Sequence, residues 1–376
     1  GLYKKLMGNT CKQQTKDGKG YITMKYVKNV CDKGIVLSPD KEGEEMYAWD
    51  GGGMREAILS EVDGKYYLSY DGAMPGARPD SYWNACQAVS TDLVHWKKLG
   101  TNMLSSALTH PESNEKVYKD FRSASSPWSY FDGKKWYHYY VGADHCSENG
   151  IPAFEYSTML AVSDEITGKW DKACDEEGCS KHVCLTMGPE GSWNDVTTSP
   201  GQVVENPKWA SDPEHEKRYL MFYSGSCSGV TKRSLGIART NDLGISDDYD
   251  KKDGTFWEKD PKPILPPEDD IENTSLFYEE ESGLYWLFTN HIYNNEYTNS
   301  VWVYWTKDLE HWNAEDKAVV VDKTVSTWAK GAIGMPTVVR RGDTLEVLYD
   351  GVKGEGTGHL ERHIGLAEIK LPVCVE

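Results

Sequence analysis

Phenylalanine is scarce in this chain of 376 residues: there are 7, against 14 Trp and 23 Tyr. Long apolar runs are missing too. The longest, such as Ala318-Val319-Val320-Val321, fall far short of the ~18 residues a membrane-spanning helix requires. Positive charge is in deficit, with 41 Lys and Arg against 59 Asp and Glu and a net charge of −18. Nucleic-acid binding depends on basic neutralisation of phosphates, so a polyanionic partner is excluded. The acidity reads as solubility. No Gly-rich phosphate loop follows a strand and opens a helix, so no obligatory organic cofactor is expected. Helical periodicity is absent over any long window.

What is present is material for a large core: 39% hydrophobic and 27% charged residues exclude a disordered chain. Trp and Tyr combine a flat apolar face with a polar handle, which suits half-buried β-structure and sugar stacking alike. Gly at 35 and Pro at 16 imply many turns. The nine cysteines are odd in number, and Cys174, Cys179 and Cys184 crowd a polar stretch with His182. Their C-x₄-C-x₄-C spacing is not a standard zinc pattern. A disulfide-stapled loop in a secreted or periplasmic protein is the expectation, although Gly1-Leu2-Tyr3-Lys4-Lys5 carries no leader pattern.

A pattern of a short apolar segment, a turn and an aromatic-rich strand recurs five times: at 55–72, 125–142, 198–225, 272–290 and 334–351. The terminal aromatics are Tyr70, Tyr140, Tyr223, Phe288 and Tyr349, at intervals of 70, 83, 65 and 61 residues. Each of the first four copies is followed by a third strand and a Trp: Trp96, Trp170, Trp257 and Trp312. Asp63-Gly64, Asp132-Gly133 and Gly342-Asp343 are hairpin dipeptides. Five units of about four strands each predict an all-β chain folded as a five-bladed β-propeller. The fifth unit lacks a fourth strand. Either residues 20–27 or residues 34–37 supply it, so that an arm over 1–44 completes the last blade of a single domain over 45–376.

In a propeller blade the start of strand one, the end of strand two and the start of strand three share one mouth. Strand-one starts give Asp50, Arg55, Glu56, Arg122, Asp195 and Glu272. Strand-two ends give Asp71, His291 and Asp350. Strand-three starts give Trp83, Arg233, Arg362 and His363. Carboxylates, arginines and histidines thus meet at one end of the channel. Trp83 and Trp128, with Trp49, are candidates for sugar stacking. The four repeat tryptophans read as packing between blades. Gly51-Gly52-Gly53 lets substrate approach Asp50 closely, unless Asp50 merely caps the turn. A single cation near His291 or Asp195 would be electrostatic support.

The Asp-Gly-Lys-Tyr-Tyr hairpin at 63–67, the Ser-x-Asp-Leu-x-x-Trp segment at 90–96 and the Arg-His-Ile-Gly-Leu-Ala ending at 362–367 carry a resemblance. Over residues 45–372 the chain resembles the five-bladed glycoside hydrolases, the group of arabinanases, xylosidases, fructosidases and anhydro-galactosidases. The resemblance implies a carbohydrate substrate and a pair of catalytic carboxyl groups. Glu56-Ala57 matches the family's Asp-Pro, so Glu56 takes the place of base or nucleophile. Glu272-Asn273-Thr274 matches Glu-Gly-Pro, so Glu272 takes the place of general acid. His291 is the alternative acid, as in some relatives. The third carboxylate of the family falls on Trp128, which leaves Asp195 or Asp71 as a substitute. Glu56 and Glu272 start blades one and four, across the channel from each other. That fits the wider, roughly 6.5–9.5 Å separation of inverting enzymes. A non-catalytic glycan-binding propeller, or a phosphorylase using Arg55, Arg122, Arg233 and Arg362 for phosphate, are the competing readings.

Overall fold

A computed structural model describes residues 11–14, 21–77, 83–104, 120, 123–143, 156–172, 183–227, 230–244, 257–290 and 300–376. Its sheets form a five-bladed propeller. Blade one is a meander of Gly53–Val62, Lys65–Ala73, Trp83–Ser90 and Lys97–Leu104. Blade two runs through Ser123–Phe131, Trp136–Ala143 and Tyr156–Ser163, and its outer edge is shared by Asp171–Lys172 and Val183–Leu185. Blade three has a broken inner strand, Thr197–Ser199 and Val203–Glu205, followed by Tyr219–Cys227, Val230–Thr240 and Glu258–Lys259. Pro200 and Gly201 occupy the break. There the backbone comes so close that a Cβ on Gly201 would lie 1.5 Å from the Phe222 carbonyl oxygen. Blade four is Ser275–Glu279, Leu284–Asn290, Val301–Thr306 and Lys317–Val321.

Blade five is Ala329–Arg341, Thr344–Lys353 and Arg362–Lys370, with Val30–Leu37 added antiparallel at the outer edge. The strand containing residues 34–37 closes the ring. Tyr21–Met24 pairs instead with Cys11–Gln14 in a separate two-stranded sheet. Tyr26 ties the two ends of the chain together, exchanging backbone hydrogen bonds with Glu376 at 2.7 and 2.9 Å.

The buried side chains explain why five such sheets form a ring. Each blade presents apolar residues on both faces, as along Val301–Trp305, where every residue is buried. A sheet buried on both faces needs a neighbour on each. Five apolar clusters fill the five junctions in turn, and the one between blades five and one, with Leu37, Met54, Leu68, Leu348 and Leu366, matches the others. Trp170 and Trp257 are buried in these seams. Trp96 and Trp312 donate their indole N–H groups to Leu93 and Leu309 carbonyls at 2.9 and 2.7 Å, which ties each to its own turn. In blade one the Asp63-Gly64 hairpin is a two-residue turn with both φ positive, 50° and 76°, a conformation whose twist fits the flanking strands.

No disulfide forms among the described cysteines. Cys31, Cys86, Cys227 and Cys374 are free thiols. Cys184 sits in the apolar seam between blades two and three. Cys146, Cys174 and Cys179 lie outside the described residues, as does the side chain of Cys11.

One polar pair inside blade five responds to pH. Glu346 faces Glu368 directly across the sheet, and only 5% of Glu346 is exposed. Like charges opposed in this way repel. Burial, and then Glu368, push the Glu346 carboxyl up to about 7. The folded chain thus keeps a proton that the unfolded chain releases above its ordinary pKa. The stability this contributes is complete below that ordinary value and disappears as pH rises through about 7. Between about pH 5 and 8 the melting temperature of the wild type is expected to fall more steeply than that of Glu346→Gln. Parallel curves in calorimetry would contradict this.

Candidate active site

Glu56 owes its aim to a bulge. Strand one of blade one pairs Arg55 with Asp71 and then Ile58 with Ser69, so Glu56 and Ala57 together oppose Tyr70. Glu56 takes φ +53° there. Blade two repeats the device: Ser125 pairs with Val141, Trp128 with Tyr139, and Ser126 takes φ +50°. Bulges re-aim side chains, and a positive φ on a residue other than glycine costs roughly 1–3 kcal/mol. The preceding blade offsets the cost. Asp350 Oδ2 accepts the Glu56 N–H at 2.7 Å, and Asp71 Oδ1 accepts the Ser126 N–H at 2.7 Å. Both aspartates occupy the same place in their blades, in Tyr70-Asp71-Gly72 and Tyr349-Asp350-Gly351. Each clasps the bulge of the next blade through a carboxyl oxygen that accepts its backbone N–H.

Glu56, Asp71 and Ser126 form one hydrogen-bonded cluster. The Ser126 hydroxyl donates to Glu56 Oε2 and lies 3.3 Å from Asp71 Oδ2. Arg55 Nε stands 3.7 Å from Asp71 Oδ2 and 4.0 Å from Glu56 Oε1. Two carboxyl groups this close cannot both ionise readily. Burial, and then Glu56, drive Asp71 well above the carboxylate range, so it keeps its proton. Burial also pushes Glu56 upwards, but Arg55, the hydrogen bonds from Asp71 and Ser126, and His359 together outweigh it. The Glu56 carboxyl is therefore held below its ordinary value.

Glu272 lies just before the inner strand of blade four. Its Oε1 is 3.6 Å from Arg233 Nη2. Burial raises its pKa against the pull of Arg233, and the charges of Glu56 and Asp350 add to the rise. Glu56 and Glu272 thus feel each other across one mouth. Beneath them Asp270, at φ +51°, accepts the Arg233 N–H at 2.7 Å, and burial raises its carboxyl to about 6. Arg362 Nη1 donates to Asp350 Oδ1 at 2.8 Å and Arg362 Nε to the Gly358 carbonyl at 3.0 Å.

Several expected site residues lie elsewhere or face away. Asp50 is fully buried and accepts from Tyr70 Oη at 2.8 Å, Lys98 Nζ at 2.6 Å and the Asp40 N–H at 2.8 Å. This is a structural lock rather than a sugar contact, because it recurs. In blade two Asp120 accepts from Tyr140 and Lys172 at 3.0 and 2.5 Å, and in blade four Asp269 accepts from Tyr304 and Lys317 at 2.5 and 2.6 Å. Blade three has Asn194 in the carboxylate's place, bonded to Tyr223 Oη at 3.0 Å. Trp83 offers no face to a sugar: it is buried, and the Arg55 guanidinium covers it with its carbon 3.6 Å from the ring centroid. Trp128 is buried against Ile58 and Met335, and Trp49 packs half-buried in the seam between blades five and one. His363 bonds Ser38 Oγ at 2.8 Å, one residue past the closing strand. Asp195 accepts the Gly191 N–H at 2.7 Å in the loop before blade three. Arg122 and His291 lie outside the described residues, and so does half of the expected cation site. Among the described residues no group of three His, Cys, Asp or Glu side chains gathers to hold a metal.

No family model and no curated protein sequence matches the chain. Solved structures do. One described as a glycoside hydrolase superposes with a TM-score of 0.65 at 15% identity, covering 91% of this chain and 92% of its own. Zg3597, a family 117 glycoside hydrolase produced by the marine bacterium Zobellia galactanivorans, gives 0.60 at 14%, covering 92% of each chain. The α-L-arabinofuranosidase PaAbf62A from Podospora anserina, in complex with cellotriose, gives 0.55 at 11%, covering 90% of this chain and 96% of its own. The fold is that of the propeller glycoside hydrolases. Within that fold, the mouth described above lies at the end of the channel where strand one of each blade begins.

Sequence reasoning missed His359. It stands in the Gly-rich connection 354–361, which reads as an ordinary loop. The protein packed around its ring, and then the charges of Arg362, Arg55 and Arg233, push its pKa down to about 3. The connection is pinned where Glu361 N–H meets the Gly52 carbonyl at 2.9 Å. A Cβ on Gly53, at φ +143°, would lie 2.7 Å from that Glu361 nitrogen. Gly53, read above with its neighbours as room for substrate, is room for this connection, while Gly51 is crowded by Tyr47 and Gly52 by the Met74 carbonyl.

Gly334 offers a direct test of the clasp on Glu56. A Cβ there would lie 2.3 Å from Asp350 Oδ1 and 2.7 Å from Arg362 Nη1. Gly334→Ala is expected to part that ion pair and lower stability by roughly 1–3 kcal/mol, as overpacking does. It should also reduce turnover on any substrate the wild type cleaves. A melting curve and a rate both equal to wild type would show that Asp350 does not hold Glu56.

Proposed function

We propose that the protein hydrolyses a glycosidic bond, with Glu56 as general base and Glu272 as general acid. The observation that carries this reading is the opposite displacement of two carboxyl groups in one mouth: Glu56 is held down and Glu272 is raised. Groups whose surroundings push their pKa values apart divide into base and acid. Glu56 takes a proton from water as its oxygen bonds to the anomeric carbon. The bond from that carbon to the leaving oxygen breaks, and Glu272 supplies the proton this oxygen needs. Asp71 keeps its own proton, and with Ser126 it orients Glu56. The placement of the pair across the channel favours inversion of the anomeric centre.

The experiment is hydrolysis of a panel of oligosaccharides, with and without inorganic phosphate, by the wild type, Glu56→Gln and Glu272→Gln. Turnover by the wild type that both variants lose supports the reading. Binding of a glycan that is never cleaved would favour a sugar-binding propeller instead. Strict dependence on phosphate would make the protein a phosphorylase.

A further inference from the structure

We propose that blade four carries a second glycan-binding site, a hollow at the end of the propeller opposite the mouth, where a neutral sugar unit lies against the indoles of Trp305 and Trp312. The proposal goes beyond the glycosidase reading and does not depend on it, because no group of the mouth takes part. The hollow measures about 490 Å³, within the ~300–1,000 Å³ of small-molecule pockets. It opens where strand two of blade four begins, at Leu284, and strand three ends, at Thr306. Strand one starts at the mouth and strand two returns antiparallel to it, so this is the far end of the blade. Leu284, Trp305 and Trp312 supply an apolar floor. The Trp312 N–H is spent on the Leu309 carbonyl at 2.7 Å, so this indole has only carbon to offer a ligand. Trp305 is backed by Trp286, with ring centroids 5.5 Å apart. On the rim, two polar side chains are set by their own turn. His311 Nδ1 is 2.8 Å from Asp308 Oδ2, which directs Nε2 away from that carboxyl, and the side chain is 80% exposed. Asn313 Oδ1 accepts the Glu315 N–H at 3.0 Å, which fixes the amide and leaves its NH₂ to donate. Thr306 Oγ1 lies 2.5 and 3.0 Å from the His311 and Asp308 carbonyl oxygens, so the turn itself uses that hydroxyl.

The repeat separates what builds the turn from what builds the hollow. Blade one has the same turn: His95 Nδ1 is 2.7 Å from Asp92 Oδ2, and Trp96 donates its indole N–H to the Leu93 carbonyl at 2.9 Å. Strand pairing matches Tyr66 and Ser90 of blade one to Tyr285 and Thr306 of blade four. In that register Lys65, Val89 and Lys97 stand where blade four has Leu284, Trp305 and Asn313. The histidine, the aspartate and the turn tryptophan therefore serve the turn in both blades. The leucine, the second indole and the amide distinguish blade four, and all three line the hollow. A sugar ring joins an apolar C–H face to an edge of hydroxyls that both donate and accept. Indole carbon beneath the face, with His311 and Asn313 at the edge, complements it. Lys307 and Asp316 add one charge of each sign to the lining, which favours a neutral ligand over an ion. A wholly apolar ligand would leave the two rim groups unused.

The test is an NMR titration of the isotope-labelled wild type with cellotriose, xylotriose and maltotriose, following the tryptophan indole N–H signals. Trp305→Phe and Trp312→Phe assign the two reporters of the hollow, and Trp83, beneath Arg55, reports the mouth separately. Glucuronate, glucosamine and indole serve as anionic, cationic and apolar controls. At least one trisaccharide is expected to shift the Trp305 and Trp312 signals with a Kd of about 0.1–10 mM, tighter than any control. His311→Ala and Asn313→Lys, both at exposed positions, should each weaken that binding about 2- to 10-fold, the value of one hydrogen bond. Melting temperature, and the rate on any small substrate cleaved at the mouth, should stay at the wild-type values. Should Asn313→Lys fail to fold, His311→Ala decides alone. No shift at Trp305 and Trp312 with trisaccharide at tens of millimolar, about tenfold above that Kd range, would overturn the proposal. So would shifts that both rim variants leave unchanged, or tighter binding of glucuronate, glucosamine or indole. If a trisaccharide binds here and no glycan is cleaved, the hydrolase reading fails and this one stands. Cleavage without binding here does the reverse.

Discussion

Glu56→Gln is expected to lower kcat by about 10²–10⁴-fold on every substrate the wild type cleaves, the usual contribution of a positioned acid or base. A base that activates water is needed whatever group departs. Glu272→Gln should lose as much on a sugar leaving group, but far less on an aryl glycoside whose phenolate leaves without a proton. The wild-type dependence of kcat/KM on pH should be bell-shaped. Its acid limb reports Glu56, held low by Arg55, Asp71 and Ser126 against its own burial. Its basic limb reports Glu272, raised chiefly by burial. Glu272→Gln should abolish the basic limb on the activated substrate. Equal losses on both kinds of leaving group in Glu272→Gln would remove it as the acid, and His291 would then be the next residue to replace.

Lys98→Met is expected to be the most damaging substitution for stability. Its ammonium is 2.6 Å from both Asp50 and Asp40, and Asp50 is wholly enclosed. Burial already raises the Asp50 carboxyl, and Lys98 is the first of the partners that oppose this rise. Removing the lysine leaves a buried charge without its cation, at a cost of about 3–5 kcal/mol. Calorimetry should show a melting temperature lower by several degrees. Asp50→Asn keeps the shape and removes the charge, so in the Lys98→Met background it should recover part of the loss. Neither change should alter affinity for a sugar. A loss of sugar affinity at unchanged stability would return Asp50 to the substrate site.

Position within a repeat puts Glu56 and Glu272 at one mouth, and the repeat can be read because it is local. Hairpin dipeptides, strand alternation and the turn with its Trp recur at each blade, since every blade solves the same packing problem. Arg55 and Arg233 followed from the same counting. Asp71 and Asp350 were placed in the mouth, but their clasp on the bulge of the next blade was not visible. It depends on how far one blade is turned against its neighbour, and no residue spacing within a blade encodes that turn. Trp83 was expected to stack on a sugar because it begins a third strand. Its burial beneath Arg55 is set by the tilt of that strand across the seam.

The sequence by itself determined the β-class, the number of blades, the order of their strands and the two acidic positions at the inner strands. Each of these is written in local turn chemistry and in a period of about 60–80 residues. Tertiary structure alone decided which strand closes the ring, since both N-terminal candidates are β-formers and only Val30–Leu37 meets the edge of blade five in register. It alone decided that Asp50 is a lock, that Asp71 keeps a proton and that His359 enters the mouth. Those outcomes depend on burial and on charges brought together from blades far apart in the chain, and desolvation and Coulomb energy act through space rather than along it.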